Sequence, residues 1–210
     1  MSATPAPPPS SPLPVQQGGT RPSRALPYEL HVHDLVYADK MSLAFVNTGQ
    51  AGAVFHVYDK RNLQLGPRRY TVEAGKELHA QWQPDEHGAY DLWVLGPNGF
   101  HRHFCGALAP LAGAPAMRAA YDTVENAIAI ALVNPGERAV SCTLDDYYGG
   151  VPAWQVTVPP GATVVRVWPL LASGNWYDLR LHVHEMPGYV RRLAGRMETG
   201  RDGVSDPAAA

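Results

Sequence analysis

The chain has 210 residues, of which 45% are hydrophobic and only 17% charged, with a formal net charge of -2. That is enough apolar material for a domain-sized core, and the charge balance excludes the basic footprint of a nucleic-acid binder. Two cysteines exclude a disulfide framework or a cysteine-based zinc site, and the longest apolar run, Ala127 to Val133, is too short for a membrane-spanning helix.

Residues 1–27 hold eight of the 20 prolines, no acid, and only Arg21 and Arg24 as charges. The run Pro5 to Pro9 can propagate neither a helix nor a ladder, so 1–27 is predicted to be a disordered, Pro-rich linker. No basic residue leads into an apolar stretch at the N-terminus, and no signal peptide is expected within this chain. From Tyr28 the pattern becomes short runs with two-residue alternation, broken by Gly, Pro, Asn or Asp. Strands are predicted at 28–36, 41–47, 53–59, 68–73, 76–82, 89–95, 100–105, 117–123, 126–133, 139–145, 153–158, 163–168, 176–184 and 189–194. The clearest is Trp176 to His184, where Tyr177, Leu179, Leu181 and Val183 alternate with Asp178, Arg180, His182 and His184.

The chain also repeats itself. Ala44-Phe45-Val46-Asn47 recurs as Ala131-Leu132-Val133-Asn134, Val72-Glu73-Ala74-Gly75 as Val158-Pro159-Pro160-Gly161, and Tyr90-Asp91-Leu92 as Tyr177-Asp178-Leu179. Gly99-Phe100-His101-Arg102 likewise matches Gly188-Tyr189-Val190-Arg191. A period this long is a whole domain rather than a solenoid unit. The predicted fold is all-β: two tandem antiparallel, immunoglobulin-like β-sandwiches of about seven strands each. The predicted bounds are 28–106 and 116–196, with a hinge at 107–115 and a frayed tail at 197–210.

Strand parity singles out few residues for chemistry. Three His-x-His pairs, His31/His33, His101/His103 and His182/His184, could each present two imidazoles on one face, but two ligands make no metal site unless the strands are neighbours. Asp91 and Asp178 each follow a Tyr, and Arg102 and Arg191 each sit two residues after an aromatic. The expected arrangement is Asp91 with Arg102 and Asp178 with Arg191 across a hairpin, although Arg102 shares its parity with Phe100 and Phe104. Tyr90 and Tyr177 resemble tyrosine corners, with hydroxyls expected on nearby loop backbone. Asn47 and Asn134, at strand ends, are expected to bond local backbone. Asp145 to Gly150 is predicted to be a plain acidic, aromatic hairpin tip. No nucleophile elbow or phosphate loop occurs, and Cys105 beside His103 is not read as an activated dyad. Catalytic, cofactor-binding and metal-ligating residues are therefore all assigned as none.

The stretches Arg24 to Leu30, Tyr70 to Lys76, Gly88 to Val94 and Gly96 to Phe100, followed by Trp176 to Leu179, Arg192 to Gly200 and Ser205 to Pro207, resemble the C-terminal region of bacterial phospholipase C. This is the phosphocholine-preferring type, haemolytic and non-haemolytic. The resemblance implies a non-catalytic tandem module, whose partner is a phospholipase C catalytic domain in cis or in trans and whose parent hydrolyses phosphatidylcholine. It further implies contact with a phospholipid surface and a secreted or periplasmic parent. Neither a cofactor, a nucleic-acid partner nor a transmembrane segment is expected. The competing expectations are a stand-alone structural or cell-surface interaction module and an independent hydrolase.

Overall fold

The structure, a computed structural model, describes residues 18–37, 39–108 and 114–209. The Pro5 to Pro9 run and the centre of the predicted hinge, 109–113, lie outside the described residues. All fourteen predicted strands form, with ends within two residues of the expected ones: β2 (Leu30–Val36), β3 (Met41–Asn47), β4 (Ala53–Asp59), β5 (Arg68–Val72), β6 (Lys76–Trp82), β7 (Ala89–Leu95) and β8 (His101–Ala107) in the first half; β9 (Ala116–Asp122), β10 (Ala127–Val133), β11 (Val140–Asp146), β12 (Trp154–Val158), β13 (Thr163–Pro169), β14 (Trp176–Val183) and β15 (Val190–Arg196) in the second. Two further strands of two residues each, β1 (Pro22–Ser23) and β16 (Gly203–Val204), pair with one another.

Each half contributes a three-stranded antiparallel sheet, β2-β3-β6 and β9-β10-β13. The remaining strands do not form two separate sheets. They join into one eight-stranded sheet ordered β12-β11-β14-β15-β8-β7-β4-β5. The order is palindromic under the repeat correspondence, and the antiparallel β15–β8 seam, running from Val190 opposite Cys105 to Ala194 opposite His101, relates the halves by a two-fold rotation. The sheets face one another as sandwiches. Phe45 of β3 packs on Phe55 of β4 (centroids 5.2 Å) and Tyr70 of β5 (4.9 Å), and Trp154 of β12 packs on Trp168 of β13 (5.8 Å). The alternation supplies the filling: Leu43, Phe45, Phe55 and Val94 in one half and Ile128, Ile130, Leu132 and Leu181 in the other are fully buried, within a single continuous apolar cluster. Each such side chain contributes about 1.5–3 kcal/mol.

The two halves share a staple between layers. Asn47 Nδ2 donates to Ala51 O (2.9 Å) and across the sandwich to Val72 O of β5 (3.0 Å), while its Oδ1 accepts from Gly49 N (3.1 Å). Asn134 does the same with Arg138 O (2.7 Å), Val158 O of β12 (3.0 Å) and Gly136 N (2.9 Å). Local turn bonding thus also ties the end of a strand in one sheet to the opposite sheet.

The described part of the predicted linker is tied to the predicted tail. Besides the β1–β16 pair, Ser205 N donates to Arg21 O (2.8 Å), Ala25 N to Asp202 Oδ1 (3.1 Å) and Leu26 N to Glu198 Oε2 (3.2 Å). Trp176 Nε1 anchors the strap by donating to Val204 O (3.0 Å). Two-residue strands carry no periodicity, which is why composition alone reads both segments as loose.

Candidate functional site

The predicted ion pairs Asp91–Arg102 and Asp178–Arg191 do not form. Register is the reason: Asp91 lies opposite Cys105 and Asp178 opposite Ala194, so both carboxylates stand on the outer face of the eight-stranded sheet. Arg102 and Arg191, of the other parity, point inward and are each 1% exposed. They form a joint across the β8–β15 seam.

Arg102 Nη1 donates to His101 O and Ala194 O (2.9 Å each), and its Nη2 to Tyr121 Oη (2.9 Å) and Tyr177 Oη (3.0 Å). Arg191 mirrors this: Nη1 donates to Val190 O and Cys105 O (2.9 Å each) and Nη2 to Tyr90 Oη (2.6 Å). Each guanidinium also lies over an aromatic ring, Arg102 over Phe100 at 4.0 Å and Arg191 over Tyr189 at 4.1 Å. The hydroxyls of Tyr90 and Tyr177 therefore reach an arginine of the other half, not the loop backbone expected of a tyrosine corner. Each passes over a glycine: a Cβ on Gly106 would lie 3.0 Å from Tyr90 Oη, and one on Gly195 3.2 Å from Tyr177 Oη.

The mirror breaks at one point. Arg191 Nε also donates to Asp34 Oδ2 (2.9 Å), and Arg118 Nη1 reaches Asp34 Oδ1 (3.3 Å). Burial pushes the Asp34 carboxyl upward, but Arg191 and then Arg118 outweigh it and hold it below the usual carboxylate range. Arg102 has no such carboxylate. Its hydroxyl partners are 2.8 Å from each other, and Tyr121 passes a hydrogen bond on to Leu30 O (3.3 Å). Burial, then the neighbouring Tyr177, keeps the Tyr121 hydroxyl protonated far above its ordinary range.

On the outer face the two halves differ. Asp178 accepts from Arg192 Nε (2.7 Å) and Nη2 in a two-pronged bridge, with the guanidinium over Tyr147 at 5.5 Å. In the first half the corresponding positions hold His103 for Arg192, Cys105 for Ala194 and Lys60 for Tyr147. The last match is marked by Lys60 N donating to Asp91 O and Tyr147 N to Asp178 O, both at 2.9 Å. Asp91 Oδ1 is 2.7 Å from His103 Nε2, and Oδ2 is 3.3 Å from Lys60 Nζ, which lies over the Trp93 ring at 4.5 Å. Burial raises the Asp91 carboxyl, but the His103 hydrogen bond and the His103 and Lys60 charges bring it below its ordinary value. Burial and the Asp91 charge push the Cys105 thiol up, so it is not an activated nucleophile. A cleft of about 490 Å³ opens beside Asp91 and Cys105, walled by Arg61, Tyr90, Met186 and Tyr189.

Asp91, His103 and Cys105 offer donor atoms within 4.8 Å of one another, a trio not expected from the sequence, where no metal-ligating residue was foreseen. The signal was present as His103-x-Cys105 on one strand face, but the third member needs the β7–β8 register. The His-x-His pairs do not combine: β8 and β14 are separated by β15, and β2 belongs to another sheet. The tip at Asp145 to Gly150 is tied into the fold, with Asp146 Oδ1 accepting from Tyr148 N (3.0 Å) and Tyr148 Oη donating to Asp206 (2.6 Å).

The model of the family described as bacterial phospholipase C, C-terminal domain, matches the chain twice, over residues 22–107 and 115–196. The chain belongs to this family. The double match falls on the two halves that the β8–β15 seam joins. Relatives of this phospholipase C C-terminal domain include non-haemolytic phospholipase C of Pseudomonas aeruginosa, 43% identical over 97% of this chain, and that of Burkholderia pseudomallei, 40% identical over 100% of this chain. Haemolytic phospholipase C of P. aeruginosa is 33% identical over 93% of the chain. The chain spans only about 30% of the length of these relatives. Red sea bream transglutaminase superimposes on 83% of the chain with a TM-score of 0.27 and 12% identity, too loosely to support any argument. No helix among the described residues is long and apolar enough to cross a membrane.

Proposed function

We propose that the chain is a non-catalytic accessory module of a bacterial phospholipase C acting on phosphatidylcholine, and that it works by packing against the catalytic part of that enzyme. The reading carries with it a secreted or periplasmic parent. The observation behind it is the family model matching both halves of a chain that spans only about 30% of its relatives. The geometry agrees with a structural role, because Arg102 and Arg191 use their protons at the seam between the halves rather than presenting them to a ligand.

The surface best suited to that packing is the outer face of β9-β10-β13. Ala129 lies between Ala120 and Val167, and Ala131 between Arg118 and Val165, with Val165 and Val167 58% and 59% exposed. Arg118, the one charge in this set, is already turned to Asp34. The matching face of β2-β3-β6 carries His31, His33, Glu77, His79 and Gln81 instead. The greater part of the relatives' length lies outside this chain and is the occupant proposed for the apolar face.

The test is a turnover assay on phosphatidylcholine and on a chromogenic phosphocholine ester, using the chain alone, the remaining part of the non-haemolytic P. aeruginosa relative alone, and the two mixed. The expected result is no turnover by the chain, association in the mixture, and loss of association in the double variant Val165→Asp, Val167→Asp. Turnover by the chain alone, or association indifferent to that variant, overturns the reading. Co-sedimentation with phosphatidylcholine vesicles that Val165→Asp, Val167→Asp abolishes would assign the same face to lipid instead.

A further inference from the structure

We propose that Asp91, His103 and Cys105 form a binding site for a single divalent transition-metal ion of borderline softness, zinc above all. This does not rest on the phospholipase reading. A carboxylate oxygen, an imidazole nitrogen and a sulfur lie within 4.8 Å of one another, the only group of three or more potential ligands among the described residues. Strand geometry fixes them: Cys105 is directly opposite Asp91, and His103, two residues earlier on β8, shares its face. Mixed O, N and S donors suit zinc or cobalt and are a poor match for magnesium or calcium. Three protein ligands leave a fourth position open, and the cleft beside Asp91 and Cys105 gives a water or an external donor access to it.

The other half of the molecule builds the same place without such donors. At the equivalent place Asp178 is neutralised by Arg192, a permanent cation that forms a two-pronged bridge, and Ala194 offers no donor. Fold maintenance is thus satisfied by an arginine and an alanine. The first half departs from that solution at both positions, and each of these two departures introduces a metal donor, while the third replacement, Lys60 for Tyr147, holds the other carboxylate oxygen, Oδ2, at 3.3 Å. The Arg192 charge, directly across the seam from His103, is already taken up by Asp178. Loading forms bonds from Asp91 Oδ1, His103 Nε2 and Cys105 Sγ. The ion replaces the proton that now bridges Asp91 and His103 at 2.7 Å, and that proton and the Cys105 thiol proton pass to solvent.

The experiment is a cobalt titration of the full, reduced chain after chelator treatment, followed by absorption. The expected result is saturation at one equivalent, with a near-ultraviolet thiolate-to-cobalt charge-transfer band and visible bands of tetrahedral cobalt, all bleached by one equivalent of zinc. Cys105→Ala and His103→Arg copy the second half and are expected to fold, as far-ultraviolet circular dichroism would show. Cys105→Ala should abolish the charge-transfer band, and His103→Arg and Asp91→Asn should each weaken cobalt binding by about tenfold or more. Absence of a thiolate band at stoichiometric cobalt, or its survival in Cys105→Ala, overturns the proposal.

Discussion

Arg102 and Arg191 occupy equivalent places on either side of one seam, cross it to equivalent carbonyls and meet equivalent tyrosines, yet they face different electrostatic problems. Arg191 is buried with Asp34, so the pair is close to neutral inside the protein. Arg102 is buried against the hydroxyls of Tyr121 and Tyr177 and the π-face of Phe100, so its charge is spread over dipoles. Two copies of one unit have thus arrived at a salt bridge and at a polar cage for the same side chain. Hydrogen bonding of both terminal guanidinium nitrogens, rather than a counter-ion, is the common requirement for burying an arginine here.

Removing each arginine in turn should separate the two cases most widely. Arg191→Met leaves Asp34 buried with only the more distant Arg118, and a loss of about 3–5 kcal/mol is expected. Arg102→Met strands neutral hydroxyls and carbonyls, for which about 1–3 kcal/mol is expected. Urea unfolding of both variants measures the difference, and equal losses would refute the asymmetry. The staples are expected to behave alike instead: Asn47→Ala and Asn134→Ala should each cost about 1–3 kcal/mol, because each leaves a strand carbonyl, Val72 O or Val158 O, and a turn carbonyl, Ala51 O or Arg138 O, without their donor.

Acid should separate the halves next. Burial, then Arg118, holds the His33 imidazole down at about 4, while an unfolded chain takes up its proton near 6.5. Between those values the unfolded state binds more protons, so stability should fall as pH drops from about 6.5 to about 4. Asp34 adds its loss lower still: its stabilisation is complete above the unfolded carboxylate range and disappears as pH falls through its depressed folded value. Urea midpoints against pH would trace both phases; burial, then Arg192, also holds the His101 imidazole at about 4, so His33→Gln should flatten part of the upper one. A profile unchanged by His33→Gln would show that the slope arises elsewhere. The smallest expected effect belongs to the outer face. Asp178→Asn breaks a partly exposed bridge to Arg192 and should cost no more than about 1 kcal/mol, readable as a small shift in urea midpoint.

The strands were legible because half-buried sheets impose a period of two, and Tyr177, Leu179, Leu181 and Val183 display it openly. The duplication was legible for the same reason, since each copy must fill the same core. The ion pairs were not. Asp91 and Arg102 look like hairpin partners until the register is known, and the parity that Arg102 shares with Phe100 and Phe104 was the correct warning. The arginine joint depends on β8 meeting β15, a pairing between distant segments that no local pattern encodes. The trio Asp91, His103 and Cys105 was half visible, its carboxylate hidden by the same missing register. The short β1–β16 clasp had no pattern to read.

The β8–β15 seam bears on how such a protein could have come about. A lone copy of the unit would expose β8 as a bare hydrogen-bonding edge with an inward arginine lacking its opposite tyrosine, and the simplest remedy is to pair that edge with a second molecule about a two-fold axis. On this view the present chain is a homodimer made covalent, and fusion is what freed each copy to vary: one face is greasy and the other polar, and one aspartate meets a histidine and a thiol where the other meets an arginine and an alanine.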